Sequence, residues 1–506
     1  MMPRHSAAVL LAVIHSTSAA NYVDGQCAAG ATGDLFTDKC EFGAQFASTV
    51  SADYSLLWEV EYFDNYKVVK NGKSGAVHAL HQCGVDAPTD LPSYAADATM
   101  VEVPVTSVAT TSSTYLPFIE MLGERRALKA YTSSFGYVSS PCLRKMHRDG
   151  LIEGQAGSWP DTTNPDLEAL GVQATFADAW GMSNHNAVEL TDTSEAMPHA
   201  VLKTAEYVEY VGLYFNREKE ASTAIAHIVE NWLCTKQAVA AVVAREEPVP
   251  VLWSQYYSAA TCADGTVGSN CADGSMCAGG WSVASGATWY AEIIEAAGGS
   301  LILPDVVASC TSWGAPYLST AQLLEVGALA QVVVSPGPWT DAVDVSALPA
   351  YQNGRVFDNQ GPNGANDWFE RRVVEPDALL QDLAVAFHAD APEMEGLSRK
   401  WLRDVVANKP VGGVSDEDLD TACPDIDAPY EFSSTDMCAR FQGSSSSKNS
   451  PNAAAGGYIA LAVIASAIVL LSFGGLAYWT NRRLPPPSKA PPADGQPAVT
   501  KAAETA

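Results

Sequence analysis

A formal net charge of −29 over 506 residues sets this chain against nucleic acid and anionic lipid as partners, since their phosphates would repel it. The ordinary meaning of such a charge is solubility. About 420 residues lie between a leader and a stalk at the two ends, enough for two lobes of roughly 150 to 200 residues each with a large core.

At the N-terminus, Arg4 and His5 precede the apolar run Ala7 to Ile14, and small residues follow at Ser18, Ala19 and Ala20. That is the pattern of a cleavable signal peptide over residues 1–20, leaving Asn21 first, and its apolar run is too short to span a bilayer.

Beyond Cys40, short β-branched runs alternate with longer helical patterns, the signature of α/β layers around parallel sheets. Tyr66 to Val69 and Ala76 to Leu80 read as strands, and Met100 to Val105 as a strand ending in the polar loop Ala109 to Ser113. Tyr115 to Leu122 reads as a helix, and Leu128 to Thr132 and Ala174 to Ala177 as further strands. From about His199 to Ala244 apolar residues recur at helical spacing. The tract is too long for one globular helix and divides into Ala200 to Phe215, ending near Asn216, and Glu218 to Val243. A second α/β set opens with the strand at Val249 (VPVLWSQYY). It continues with a helix Ala287 to Ala297 closed by Gly298 and Gly299, a strand Ser300 to Leu303, and a helix Ser319 to Glu325. Strands Gln331 to Val334 and Val356 to Phe357 and the helix Pro376 to Phe387 complete it. The expected fold is therefore α/β, with two α/β lobes (21–199 and 217–440) bridged by a single long helix (200–216).

Past this region, Gly443 to Asn452 (GSSSSKNSPN) lies in a flexible stalk, 441–457, that cannot bury enough apolar surface to fold. Tyr458 to Trp479 is free of charge and spans about 33 Å as a helix, sufficient to cross a membrane. Arg482 and Arg483 place the Pro-rich tail, 480–506, in the cytosol by the positive-inside bias. The expectation is a single-pass type I protein of the plasma or endosomal membrane with its ectodomain extracellular or lumenal.

All eleven cysteines fall in that ectodomain, where the compartment is oxidising. Cys27 with Cys40 and Cys423 with Cys438 are the expected local staples. Cys262, Cys271 and Cys277 crowd a Gly/Asp/Ala-rich insertion at 262–280, with Cys310 not far behind. Zinc is the sharper alternative for these four, but no histidine accompanies them. The odd count leaves one thiol, for which Cys234 in its apolar helical stretch is the candidate. No Asn-x-Ser/Thr acceptor occurs, so N-glycosylation is not expected.

Enzymatic signatures are missing: no phosphate loop, dinucleotide turn, nucleophile elbow or zinc helix is present, and the nine histidines show no metal-ligand spacing. The chain reads as a non-enzyme with no cofactor or metal. The aromatics stand out instead, in segments expected to be loops after strands: Trp180, Trp253, Tyr256, Tyr257, Trp281, Trp339, Trp368 and Phe369. Loops beyond the carboxyl ends of parallel strands line ligand crevices, and flat aromatic faces among Gly, Pro and Ser suit a large planar or conjugated ligand.

AQVVVSPGPW, YQNGRVFD and EPDALLQDLAVAFH in the C-terminal half, and more loosely TTSSTYLPFIEMLG and NPDLEALGV, resemble segments of the class III, helical-backbone periplasmic substrate-binding proteins. That family captures vitamin B12, ferric siderophores and haem. The resemblance covers about Tyr54 to His388 and implies two lobes on a stiff bridging helix that rock rather than swing. The signal peptide, anchor and cysteines resemble eukaryotic, chiefly algal, relatives, above all the cobalamin acquisition proteins. It implies a membrane-anchored receptor for nutrient uptake, with cobalamin as carried ligand and a ferric siderophore of ferrichrome type as the alternative. A separate translocator or endocytic machinery would be the partner, with Glu124 and Glu292 as candidate docking acids. The competing classes are an ectoenzyme using the four clustered cysteines and a structural or adhesion receptor.

Overall fold

The computed structural model describes residues 22–23, 26–30, 32–36, 38–40, 58–72, 74–157, 162–178, 183–190, 201–259, 269–271, 279–284, 286, 288–305, 308, 310–312, 315–341 and 343–440. The expected signal peptide, stalk, membrane segment and tail lie outside them. Among the described residues no helix is long and apolar enough to cross a membrane.

The N-terminal half holds two sheets. Strands β1 (Trp58–Tyr62), β2 (Tyr66–Asn71), β3 (Val77–Gln82) and β4 (Thr99–Val103) pair in that order, antiparallel except for the parallel pair β3 and β4. Strands β5 (Val108–Thr110), β6 (Leu128–Tyr131), β7 (Glu153–Gly154), β8 (Ala174–Ala177) and β9 (Ala187–Glu189) form a wholly parallel sheet of order β9-β8-β5-β6-β7. Its central strands are buried along their whole length, as parallel strands covered on both faces must be. The expected loop at Ala109 to Ser113 is thus corrected: its first residues belong to the central strand. Three residues are too few to display a period, and Thr110 masks their burial. Between the strands lie α1 (Leu116–Met121) and α2 (Pro141–Arg148).

Three helices follow: α3 (Val201–Ala205), α4 (Tyr207–Phe215) and α5 (Glu218–Val243). The break falls at Asn216, whose φ of 53° puts it in the left-handed region that asparagine tolerates at a helix end. This tract touches both halves. Thr204 Oγ1 donates to the Val373 carbonyl at 3.1 Å, and Tyr214 Oη meets His78 Nδ1 at 2.8 Å. α5, about 39 Å long at 1.5 Å per residue, starts on the buried Lys67–Glu218 ion pair.

In the C-terminal half, β10 (Val249–Tyr257) does double duty. Its first residues lie parallel to β13 (Gly299–Leu301) and β16 (Val332–Ser335), and β17 (Val356–Asp358) extends that parallel layer. Its last four pair antiparallel with β12 (Gly280–Val283), leading to β15 (Ala315–Leu318), β14 (Cys310–Ser312) and β11 (Ser269–Cys271). Helices α6 (Trp289–Ala296), α7 (Thr320–Val326), α8 (Ala365–Arg371) and α9 (Pro376–Phe387), with a single helical turn at Pro349–Gln352, belong to this half. A capping box between Ser319 and Gln322 fixes the start of α7. Every residue of α9 is buried, and Asn231 of α5 donates to its Asp377 at 3.0 Å.

After β18 (Arg403–Asp404), antiparallel to β17, the chain becomes a strap, 405–440, with the short helix α10 (Leu419–Ala422), a 3-10 turn before it and a helical turn at 437–440. It crosses to the N-terminal half and comes back. Arg125 donates to the carbonyls of Ile426 and Ala428 at 3.2 and 2.6 Å, and Arg126 grips Asp427 with two bonds of 2.7 and 2.6 Å. On the return, Tyr430 and the Ser433 amide donate to Glu375, each at 2.5 Å, and the Met437 amide to Asn231 at 2.8 Å.

The cysteine pairs correct both expected staples. Cys27 bonds Cys83, not Cys40, and Cys423 bonds Cys142, not Cys438, which bonds Cys234. Cys234 is therefore not the spare thiol. Among the described residues that is Cys40, half-buried, whose amide donates to Tyr62 Oη at 2.8 Å. Proximity in sequence misled because the strap carries its cysteines to helices more than 200 residues upstream. Cys271 bonds Cys310 across β11 and β14; Cys262 and Cys277 lie outside the described residues.

Candidate functional site

A cavity of about 810 Å³ lies between the halves. One wall follows the carboxyl end of β6: Phe135, Gly136, Val138 and Ser139, then Arg144, His147 and Arg148 on α2. The second follows the carboxyl end of β17: Gln360, Asn363, Gly364, Ala365 and Asn366. The third is the strap, from Gly412 to Asp416 with Leu419. Two walls built beyond the ends of parallel strands are where an α/β fold places a ligand.

The first wall is set by local sequence. Ser140 caps α2 through the Leu143 amide at 3.3 Å, Pro141 occupies the first turn, and Lys145, His147 and Arg148 close the last turn, where cations suit the helix dipole. His147 Nδ1 donates to the Ile152 carbonyl at 2.9 Å, and its ring stacks on Phe135 with centroids 3.9 Å apart. Gly154 lies under this stack: a Cβ there would come within 2.7 Å of the Phe135 ring and 3.1 Å of His147.

The second wall is sewn to the first. Asn366 donates to the Gly136 carbonyl at 2.9 Å. The Ser139 amide donates to Glu370 at 3.0 Å, and its hydroxyl bonds both Asp367, at 3.1 Å, and Glu370. Burial pushes the Glu370 carboxyl well above its ordinary range, with Asp367 and Glu120 adding repulsion. The strap lies directly on the loop after β17. The Gly412 and Gly413 amides donate to Gln360 and Pro362 at 3.1 and 3.0 Å. A Cβ on Gly412 would fall 2.0 Å from the Gly361 oxygen, so a side chain there would lift the strap away.

The cavity is cationic on the α2 side, but its cations are engaged. Arg144 donates to the Val414 carbonyl at 2.6 Å and to Asp416. Arg148 holds Asp420 with two bonds, 3.1 and 2.9 Å, and Lys145 lies 3.3 Å from the same carboxylate, which they lower to about 2. The amides of Gln360 and Asn363 add neutral donors and acceptors.

Of the eight aromatics expected at a ligand site, the seven among the described residues do not line this cavity. Trp253, Tyr256 and Tyr257 lie within β10 rather than after a strand, Trp281 within β12 rather than in a glycine-rich loop, and Trp368 and Phe369 within α8. Trp253, Trp281 and Trp368 are buried in the core. Trp253 packs on Tyr290 at 4.5 Å and Trp368 at 6.1 Å, while Trp281 lies between Tyr256 and Trp339 at 5.3 and 5.7 Å. Trp339 does follow β16, half-buried, its amide donating to Asp358 at 3.0 Å. Tyr256 and Tyr257 are half-buried and Phe369 is exposed beneath Arg372, while Trp180 lies outside the described residues. Of the two acids expected to dock a partner, Glu124 accepts from Arg217 at 2.6 Å, and Glu292 lies in the first turn of α6.

Arg144, His147, Arg148 and the strap are not among the residues expected at the site. The signal was there: a basic run behind Ser140-Pro141, an N-cap followed by proline, in a chain with twice as many acids as bases.

No family model and no curated protein matches this chain. Among solved structures it is similar to a possible iron-binding periplasmic solute-binding protein from Staphylococcus epidermidis, at 12% identity and a TM-score of 0.39 over 56% of this chain and 98% of that one. It is also similar to a periplasmic heme-binding protein from Pseudomonas aeruginosa, at 14% identity and 0.38 over 59% and 97%. A third is the siderophore-binding protein BauB, at 13% and 0.40 over 56% and 94%. These are partial likenesses, and the architecture above stands on its own strand order and pairing.

Proposed function

We propose that this chain is a ligand-capture receptor that holds a small molecule between two α/β lobes, 21–199 and 217–440, without transforming it, and passes it to a separate translocator or into endocytic traffic. The observation that carries this reading is the cavity of about 810 Å³ whose facing walls follow strands of both halves, a size suited to an organic ligand. The bridge is read as the tract from α3 to α5, since Thr204 bonds Val373 in one half and Tyr214 bonds His78 in the other. With the strap also joining them, motion should be a small rocking. The segment 458–479 is proposed as the membrane anchor.

The lining favours an oxygen-rich ligand of the ferric-siderophore class, whose oxygens accept hydrogen bonds, over one held on aromatic faces, because Arg144, His147 and Arg148 sit in the wall and the large indoles are in the core. Cobalamin is the second reading. Its amide side chains would find partners in Gln360, Asn363 and Asn366, and its apolar faces the Phe135–His147 stack.

Calorimetric titration of the full-length chain with ferrichrome and with cyanocobalamin, alongside Asn363→Ala, separates these. Sub-micromolar binding of ferrichrome, weakened at least tenfold in N363A, is the expected result. Binding of cyanocobalamin alone moves the ligand to a corrinoid, and binding of neither defeats both ligand choices.

A further inference from the structure

We propose that Asp416 is a built-in competitor for the ligand's anionic group: its carboxylate occupies Arg144, and an anionic ligand takes that guanidinium by displacing it. The inference rests on the capture reading and concerns the regulation of the same cavity.

Arg144 is held in place independently of Asp416. Its Nη1 donates to the Val414 carbonyl at 2.6 Å, and its side chain is only 18% exposed. Asp416, by contrast, is 84% exposed while bonded to Arg144 Nη2. One partner is therefore fixed in the wall and the other sits at the mouth, where water can take over the solvation of a released carboxylate. An exposed ion pair of this kind contributes little to stability and is readily exchanged for a better-matched anion.

The strap is built for a local release. On the near side the Gly413 amide is bonded to the Pro362 carbonyl at 3.0 Å, which keeps the strap on the loop after β17. On the far side the Cys142–Cys423 disulfide and the Lys145 bond to the Cys423 carbonyl, at 2.9 Å, fasten the strap to α2. With the strap fastened on both sides, release needs only the Asp416 side chain, already 84% exposed, to turn out into water while the Val414 carbonyl keeps its bond to Arg144. The neighbouring Arg148–Asp420 pair lies closer to the disulfide, is shared with Lys145, and stays closed. The device selects for ligands whose anionic group outcompetes a tethered carboxylate, and it weakens capture of simple anions.

The test uses citrate as probe, titrated into the full-length chain by calorimetry, with Asp416→Asn, Asp418→Asn and D416N/R144Q. Asp418 accepts from Ser415 at 2.6 Å and removes the same charge when changed. D416N should bind citrate at least tenfold more tightly than the wild type, D418N should change affinity less than twofold, and D416N/R144Q should lose the gain. Equal citrate affinity in D416N and wild type, including no binding in either, overturns the inference, as does an equal gain in D418N. Failure of ferrichrome and cyanocobalamin to bind, with the D416N gain intact, would instead count against those two ligand choices and leave the inference standing.

Discussion

Cys142, in the first turn of a helix on one wall of the cavity, is bonded to Cys423, 281 residues later, where the strap arrives from the other half. The bond closes a loop through most of the fold, and disulfides closing long loops stabilise chiefly by restricting the unfolded chain. The C142A/C423A variant should lose about 2–4 kcal/mol of unfolding free energy in urea. It should also become sensitive to protease between residues 405 and 423 while the returning strap, held by Cys234–Cys438, stays protected. Unchanged stability with unchanged cleavage would mean that the ion pairs alone hold the strap.

How much of this was legible in the sequence depends on the range over which each feature is encoded. The strand at Val249–Tyr257 and the helices ending at Phe215, Val243 and Phe387 follow from runs of neighbouring residues, and the structure places them where their period puts them. β12 was hidden because AGGWSVASG is rich in loop formers, yet pairing with β10 makes a strand of its middle. The strap and the cysteine pairs were not legible, since 405–440 has almost no periodic structure and its partners are set by three-dimensional proximity. The cavity's basic wall was written locally, at Ser140 to Arg148, and was outweighed by aromatics that the fold uses as core.

Those aromatics give a second prediction. Trp281 is 1% exposed, and its Nε1 donates to Thr320 at 3.3 Å. Trp281→Ala should destabilise by about 3–5 kcal/mol through the void it leaves, measured by chemical denaturation. Trp339→Ala, at a half-buried position, should cost less than half as much. If W281A instead unfolds like the wild type but loses ligand affinity, the indole faces a ligand after all.

Buried acids predict the direction of the pH dependence. Burial raises Glu206, at the junction of α3 and α4, from an ordinary 4.5 to about 9, with Glu209 adding repulsion and Lys203 opposing it. Burial raises Glu209 to about 7 against the hydroxyl of Ser222, which donates to it at 2.8 Å. Below pH 4.5 both carboxyls are protonated in folded and unfolded chains, and their contribution is fully present. As pH rises the unfolded chain releases these protons first, so stability falls through about 7 and then about 9. Glu206→Gln keeps the shape without the proton. It should match the wild type at pH 4 and exceed it by about 1–3 kcal/mol at pH 8 in parallel urea titrations. A wild type that grows more stable between pH 5 and 8 while E206Q does not would reverse this assignment.

The ion pair under α5 supports the sharpest contrast between a single and a double substitution. Lys67 is completely buried; its ammonium donates to Glu218 at 2.5 Å and to Asn216 at 2.9 Å, and sits 4.8 Å over the Phe36 ring. Burial pulls the lysine down and pushes the glutamate up, and each opposes the other's shift, so the charged pair persists by mutual compensation. Lys67→Met leaves Glu218 in the interior with its charge uncompensated and should cost about 3–5 kcal/mol. Removing both charges in K67M/E218L takes away the unpaired carboxylate as well, so most of that loss should return, because two desolvated ions gain little over apolar side chains of similar volume. Urea denaturation of the three proteins checks this. A double variant no more stable than K67M would show that Asn216 and Gln82, bonded to each other at 2.8 Å beside the pair, need the ions to hold the helix break in place.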